Sequence, residues 1–335
     1  MNTQPTPQPG SRARALTPRA HETETLMAAA YYAPRGRPRL YRVAAELARR
    51  YLYPEDLIVG IIGAEGAGKS TLIRGLFPGL ELTNDDDGTN LRRSPLFDFT
   101  DDTDFFAPHT MHIDVRYESA FRQPAAIAEA VTHAVSHGRR VVIEHFDALY
   151  DTLRYNAQIL FAIGEEILVA RPSVFGPFPA RLKAFVERSI RYRRMAHSAE
   201  DLTTHVLERD YGVHAPVYHS DVKHGFVISF AEKPDIPIAE IEARVRDLIA
   251  RDIRIQPAGE DRIRVGDAAI PCTGTRTHVA RAGEIEHFRL LPHYLVHPVF
   301  GEHLLVGMVG GREGDPFDDL LPAGDTDPPD TETLP

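Results

Sequence analysis

Residues 63–70, Gly63-Ala64-Glu65-Gly66-Ala67-Gly68-Lys69-Ser70, satisfy G-x-x-x-x-G-K-[ST] at every defined position. Glycines let successive main-chain N–H groups curl around an anion that a side chain would hold off. A helix starting near Lys69 would turn its positive end toward the same anion. Lys69 would then neutralise β- and γ-phosphate charge, and the Ser70 hydroxyl would ligate Mg²⁺. The expected ligand is ATP or GTP with Mg²⁺, held by Gly63, Gly66, Gly68, Lys69, Ser70 and Thr71. The competing explanation is a chance glycine turn between a strand and a helix.

A phosphate site of this kind needs a second acid beside the ion, at the end of another buried strand. Val141-Val142-Ile143-Glu144-His145-Phe146-Asp147 offers two, Glu144 and Asp147. Glu144 is preferred because it directly follows the apolar run. No N-K-x-D stretch is present to read guanine, and no Asp-Glu pair of the motor-ATPase kind follows the strand. What remains is similar to small-molecule kinases, which place an acid near the acceptor hydroxyl and an arginine-bearing lid after the core. Asp85, Asp86 and Asp87 occupy the first position. Arg188, Arg191, Arg193 and Arg194 occupy the second, with Arg191 and Arg194 three apart on one helix face. The acidic run also reads as a solvated turn, and the arginines also suit water or RNA.

These residues need a scaffold, and the pattern supplies one. Residues 57–62 form a short apolar run that reads as a buried strand, entering the glycine loop before a helix at 69–77. Further strands are expected at 80–83, 112–115, 139–143 and 166–170, with helices at 40–51, 125–136 and 153–163. Alternating strands and helices predict an α/β domain with a parallel sheet, and ligands beyond its strands' carboxyl ends. After Gly176-Pro177 the order changes: a long helical stretch at 185–207, a strand at 224–230, an amphipathic helix at 238–252, then short strands. That predicts a second, α+β domain. The expected division is a disordered arm at 1–25, a P-loop nucleotide-binding domain at 26–180, an α+β domain at 181–310 and an acidic disordered tail at 311–335.

Composition is that of a chain with a full core: 335 residues, 43% hydrophobic and 26% charged. The net charge of −10 is concentrated in the tail, where residues 311–335 hold eight acids and one Arg. The folded part is therefore near neutral and compatible with an anionic partner. A single cysteine, Cys272, excludes an intrachain disulfide framework and fits a reducing compartment. No apolar run approaches the length needed to cross a bilayer. A cytoplasmic protein without a membrane partner is expected.

Three segments of the C-terminal half resemble a known module. His278-Val279-Ala280-Arg281-Ala282-Gly283-Glu284-Ile285-Glu286-His287-Phe288-Arg289 resembles the H-V-x-x-T-G-E-I-x-x-F-[KR] stretch of the alanyl-tRNA synthetase second additional domain. His224-Gly225-Phe226-Val227-Ile228-Ser229-Phe230 resembles the G-F-Y-Y-D-F strand of the equivalent threonyl-tRNA synthetase domain. Thr203-Thr204-His205-Val206-Leu207 resembles the second half of its H-x-x-x-H helix. The layout from about residue 40 to 310 looks like bacterial P-loop proteins carrying that additional domain. In the synthetases, H-x-x-x-H on a helix and C-x-x-x-H on a later strand bind Zn²⁺ in an editing pocket for mischarged tRNA. The resemblance implies Asp201, His205, Cys272 and His278 as a zinc set here. Asp201 stands in for the first helix histidine, and Cys272 precedes His278 by six residues rather than four. Interior hydrogen-bonded histidines and a small buried thiol are the plainer account. His197, His219 and His224 are further candidates without motif support.

Three functions follow as expectations. The first is phosphoryl transfer or ATP hydrolysis on a nucleoside, amino-acid or tRNA-related acceptor, with Lys69, Asp85, Asp86, Arg191 and Arg194 as catalytic candidates. The second is nucleotide-regulated hydrolysis of mischarged aminoacyl-tRNA. The third is a non-catalytic nucleotide sensor that binds RNA through residues 183–194, which carry five basic groups and one acid.

Overall fold

The computed structural model describes residues 27–83, 94–100, 107–214 and 220–311. Asp85, Asp86, Asp87 and His219, the N-terminal arm and nearly all of the acidic tail lie outside these residues.

The first half folds as β1 (Ala28–Tyr32), α1 (Arg37–Tyr51), β2 (Ile58–Gly63), α2 (Lys69–Leu76), β3 (Thr110–Asp114), α3 (Val115–Glu118), α4 (Pro124–Ser136), β4 (Arg140–Glu144), α5 (Phe146–Leu153), β5 (Ile159–Ile163) and β6 (Glu166–Ala170). These strands make one six-stranded sheet in the order β1-β6-β5-β2-β4-β3. β5, β2, β4 and β3 run parallel. At the other end, β6 pairs antiparallel with β5 and β1 antiparallel with β6. The expected all-parallel sheet is therefore mixed, and the cause is local. Only Gly164 and Glu165 separate β5 from β6, which allows a hairpin and forbids the long crossover a parallel pair requires.

Three other elements differ from expectation. The helix expected at 153–163 is instead the end of α5 followed by β5; five consecutive buried apolar residues fit either state by pattern alone. Residues 80–83 form no strand, because the Thr83 amide donates to His112 Nδ1 at 3.1 Å rather than to a ladder. β1, a stretch of alanines and tyrosines, was not expected at all.

Both sheet faces are covered. Met111, Ile127, Val131, Leu149 and Val186 form the core on one side, and Leu40, Ala44, Leu47, Leu72 and Ile73 that on the other. At the base of this sheet Arg171 grips the buried Asp56 with two 2.8 Å hydrogen bonds.

The second half begins with α6 (Pro179–Tyr211), a helix of 33 residues and so about 50 Å long. It continues with β7 (Ser220–Val222), β8 (Gly225–Phe230), α7 (Ile238–Ala250), β9 (Ile255–Pro257), β10 (Arg262–Val265), β11 (Ala268–Pro271), β12 (Arg289–Leu290), β13 (Leu295–Val296) and β14 (His303–Met308). A sheet of β12-β14-β8-β7, with β13 on β14, and the small sheet β11-β10-β9 enclose a separate core. The expected boundary at 180/181 falls just inside α6. Leu182 and Val186 belong to the first core, while Tyr192, Met195, Ala199 and Val206 belong to the second. One unbroken helix thus contributes to both cores. Among the described residues no helix is long and apolar enough to cross a membrane.

Charged groups seal the junction. Arg35 pairs with Glu200 at 2.9 Å and Asp221 at 3.1 Å, and donates to the Gly225 carbonyl at 3.0 Å. Glu165, in the β5–β6 turn, accepts the His224 amide N–H at 2.7 Å. Burial, reinforced by neighbouring Glu166, pushes the Glu165 carboxyl up to about 8 despite the His224 amide, Lys223 and Arg35. The folded chain therefore holds this proton more tightly than the unfolded chain does. Its contribution to stability is complete below the ordinary carboxylate range and is lost as pH rises toward about 8. The denaturant midpoint of the parent should fall more between about pH 5 and about pH 9 than that of Glu165→Gln. Identical pH slopes for the two proteins would contradict this assignment.

Candidate functional site

The glycine loop leaves the fully buried strand β2 and enters α2. Gly66 and Gly68 adopt φ of 73° and 96°, values a side chain would strain. A Cβ on Gly68 would also lie 2.7 Å from Leu40 Cδ2 of α1. Gly68 caps α2 without a side-chain hydrogen bond, so no capping side chain occupies the main-chain N–H groups at the helix entrance. Lys69 folds back, 2% exposed, donating to the Ala64 carbonyl at 3.0 Å and standing 3.5 Å from Glu144 Oε1.

Glu144 ends β4, in register beside Asp114 at the end of β3. Both acids therefore sit at the carboxyl edge of the sheet, where Lys69 reaches Glu144. His112 Nδ1 accepts the Thr83 amide N–H, which leaves the proton on Nε2, 3.6 Å from Glu144 Oε2. Burial alone would raise the Glu144 carboxyl, but the facing His112 and Lys69 more than offset it and hold it below its usual range. His145 turns through φ 58°, and burial together with the Lys69 charge lowers its imidazole, leaving it neutral. One ligand atom each from Asp114, Glu144 and His145 lies within 4.8 Å of the others. The sequence reading missed Asp114 and His112. The rule that selected Glu144, an acid closing an apolar run, applies equally to Asp114 after Met111-His112-Ile113. Asp147 faces elsewhere, bonded to Lys183 at 2.8 Å.

The expected arginine lid is distributed differently. Arg193, 2% exposed, donates to the carbonyls of Ala67 at 2.8 Å, Gly164 at 3.2 Å and Pro34 at 2.6 Å. Arg194 donates to the Glu65 carbonyl at 2.7 Å. Both hold the loop itself. The Arg191 guanidinium bonds the Tyr192 hydroxyl at 2.6 Å, and Arg188 lies over the Phe185 ring.

A second cluster lies one turn further along α6. His197, Asp201, Cys272 and His278 bring one ligand atom each within 4.8 Å of one another. His197 Nδ1 donates to the Thr277 carbonyl at 3.1 Å, which aims the Nε2 lone pair at Cys272 Sγ, 3.5 Å away. His278 Nε2 lies 2.9 Å from Asp201 Oδ2 and 3.8 Å from the sulfur. The Gly274 amide donates to the sulfur at 3.3 Å. Burial lowers His197 well below its usual range, keeping it neutral, and burial beside Asp201 raises the Cys272 thiol. Three of the four implied zinc residues are thus brought together, and the fourth member is His197. His205 stands a turn beyond, where it lines a cavity of about 230 Å³ with Asp201, Thr204 and Cys272. The i, i+4 pair on the helix is His197–Asp201, not Asp201–His205. His224 stacks on Tyr192 at the domain junction.

If His197, Asp201, Cys272 and His278 hold a divalent ion, Co²⁺ added to the protein should develop a thiolate charge-transfer absorption at one equivalent. Cys272→Ser and His197→Ala should each lose that band, while His205→Ala keeps it. A band insensitive to His197→Ala but lost in His205→Ala would reinstate the motif register.

No family model matches the chain, and no curated protein matches it. Among solved structures the chain is similar to YdiB of Bacillus subtilis, at 18% sequence identity over 49% of this chain and 96% of that one, with a TM-score of 0.28. The chain is an α/β protein of mixed sheets, with two clusters among the described residues whose side chains are of the types that hold metal ions.

Proposed function

We propose that the chain is a P-loop protein that binds a nucleoside triphosphate with Mg²⁺ at residues 63–70 and transfers or hydrolyses its terminal phosphoryl group. The observation that carries this is one arrangement: a glycine loop between a buried strand and a helix entrance lined by main-chain N–H groups, with Lys69 facing Glu144. A chance glycine turn has no reason to place an ammonium and two strand-end acids at the same spot.

Ser70 and Glu144 would hold the Mg²⁺, with Asp114 beside Glu144; the ion supplies charge neutralisation on the phosphates. Lys69 would exchange its contact with the Ala64 carbonyl for phosphate oxygens. His112 orients Glu144 through its Nε2 proton and keeps the carboxylate ionised. Arg193 and Arg194 hold the loop open from the α6 side rather than closing over the phosphates. An acceptor site at Asp85 or Asp86 remains part of this reading.

The second cluster suits Zn²⁺. Its donors are two imidazoles, a thiol and a carboxylate, and its histidine Nδ1 atoms lie 3.1 and 3.3 Å from main-chain carbonyls. A 2.9 Å approach of His278 to Asp201 requires a proton between them, and a cation would take that proton's place. Four protein ligands leave no open position for a hydrolytic water, which favours a structural ion over tRNA editing at this centre.

A fluorescent ATP analogue with Mg²⁺ should bind the parent and bind Lys69→Ala roughly 10- to 100-fold more weakly, the loss expected of one charge-assisted contact. Phosphate release or transfer to a nucleoside panel should fall with it. Parent protein that ignores every triphosphate, or a Lys69→Ala variant that binds as the parent does, would dispose of the proposal.

A further inference from the structure

Residues 272–278 connect the two centres. Both ends of this seven-residue strap are ligand candidates, Cys272 and His278. Its middle lies against the glycine loop and the segment leading into α1. The Thr273 carbonyl accepts the Arg37 amide at 3.1 Å. Gly274 passes so close to the Arg35 carbonyl that a Cβ there would sit 2.0 Å from it, and 3.0 Å from His197 Cε1. The Arg276 carbonyl lies 3.1 Å from where a Cβ on Gly66 would be. Arg276 and Thr277 then form one wall of a small cavity, about 50 Å³, whose other walls include Gly66, Gly68, Ser70 and Thr71.

Several arginines line that cavity, Arg37 and Arg74 together with Arg276. Arg276 is the member contributed by the second domain, and it is exposed while its neighbours Thr275 and Thr277 are buried. Its position at the loop is set by the course of the strap backbone, whose Arg276 carbonyl packs against Gly66. The strap's course depends on what pins its ends. Cys272 Sγ has contacts to His197, His278 and the Gly274 amide, and His278 bonds Asp201. A cation shared by Cys272, His278, His197 and Asp201 fastens both ends to α6. The same helix fastens the glycine loop through Arg193 and Arg194.

Resting on the nucleotide reading above, we infer that the strap couples the two centres: Zn²⁺ at the four-residue cluster positions Arg276 as an additional anion-binding group at the loop and tightens triphosphate binding. A buried thiol and an imidazole at the two ends of a strap whose middle packs against Gly66 of the loop make the ion a structural determinant of the loop's affinity. Linkage requires the converse as well, so a bound nucleotide tightens the grip on zinc by the same factor.

The test uses the full chain, zinc-loaded and chelator-stripped, titrated with a fluorescent ATP analogue in Mg²⁺. Circular dichroism establishes that both forms are folded. The loaded form should bind about tenfold or more tightly than the stripped form, within the usual range of such couplings. Arg276→Ala should retain one zinc per chain by elemental analysis yet bind the analogue alike in both forms. Should stripping unfold the protein, the reverse measurement decides: saturating nucleotide should slow zinc loss to a chromophoric chelator in the parent and not in Arg276→Ala. Equal affinity with and without zinc, or zinc loss indifferent to nucleotide, overturns the coupling while leaving the nucleotide reading intact. A zinc effect that survives in Arg276→Ala overturns the role given to that residue. Absence of binding in both forms removes the coupling and the nucleotide reading together.

Discussion

The buried guanidinium of Arg193 is the contact on which the rest of the arrangement depends. A cation withdrawn from water is tolerated only when its N–H groups are met. Here the acceptors are main-chain carbonyls from three separate places: the glycine loop, the β5–β6 turn and the segment before α1. Burial lowers this arginine to about 10, so it stays charged at neutral pH. Each of those carbonyls would otherwise be a poorly satisfied group at a domain junction. One side chain therefore ties the loop to the helix that carries the second centre.

Distance along α6 then does the remaining work. Arg193, His197 and Asp201 follow at intervals of four residues and so share one helix face. The first holds the loop, and the next two meet Cys272 and His278. A helix rises about 6 Å over four residues, so the two centres cannot drift apart unless the helix breaks. A flexible linker at residue 180 would have permitted such drift. The cores instead change hands in mid-helix, near Ile190 and Tyr192.

Legibility in the sequence followed how local each determinant was. The glycine loop, β4 with Glu144, α4, β6 and α7 depend on short-range pattern, and each lies within a few residues of expectation. β5 was misread because Ile159–Ile163 is buried on both faces and shows no alternation to separate strand from helix. β1 escaped notice because its alanines and tyrosines acquire strand character only by pairing with β6. The acids at 85–87 lie outside the described residues and add nothing to either side. Arg191 and Arg194 were expected to act alike from their spacing, but a helix face does not say what lies across from it.

The histidine register shows why resemblance and spacing were insufficient at the second centre. Asp201 has a histidine four residues before it and another four after, and both spacings place side chains on one face. Sequence alone is symmetric between them. What breaks the symmetry is second-domain backbone: the Thr277 carbonyl fixes the His197 tautomer and orientation, and Gly274 leaves room for that ring beside the Arg35 carbonyl. His205 stands a turn beyond, on the far side of Asp201 in the cavity both histidines line. The membership of the cluster is thus chosen by the groups that orient the imidazoles, and those groups belong to the same seven-residue strap that packs against the glycine loop. A chain selecting His205 would place its cation a turn further from Arg193, and the strap would have to abandon Gly66 to follow it.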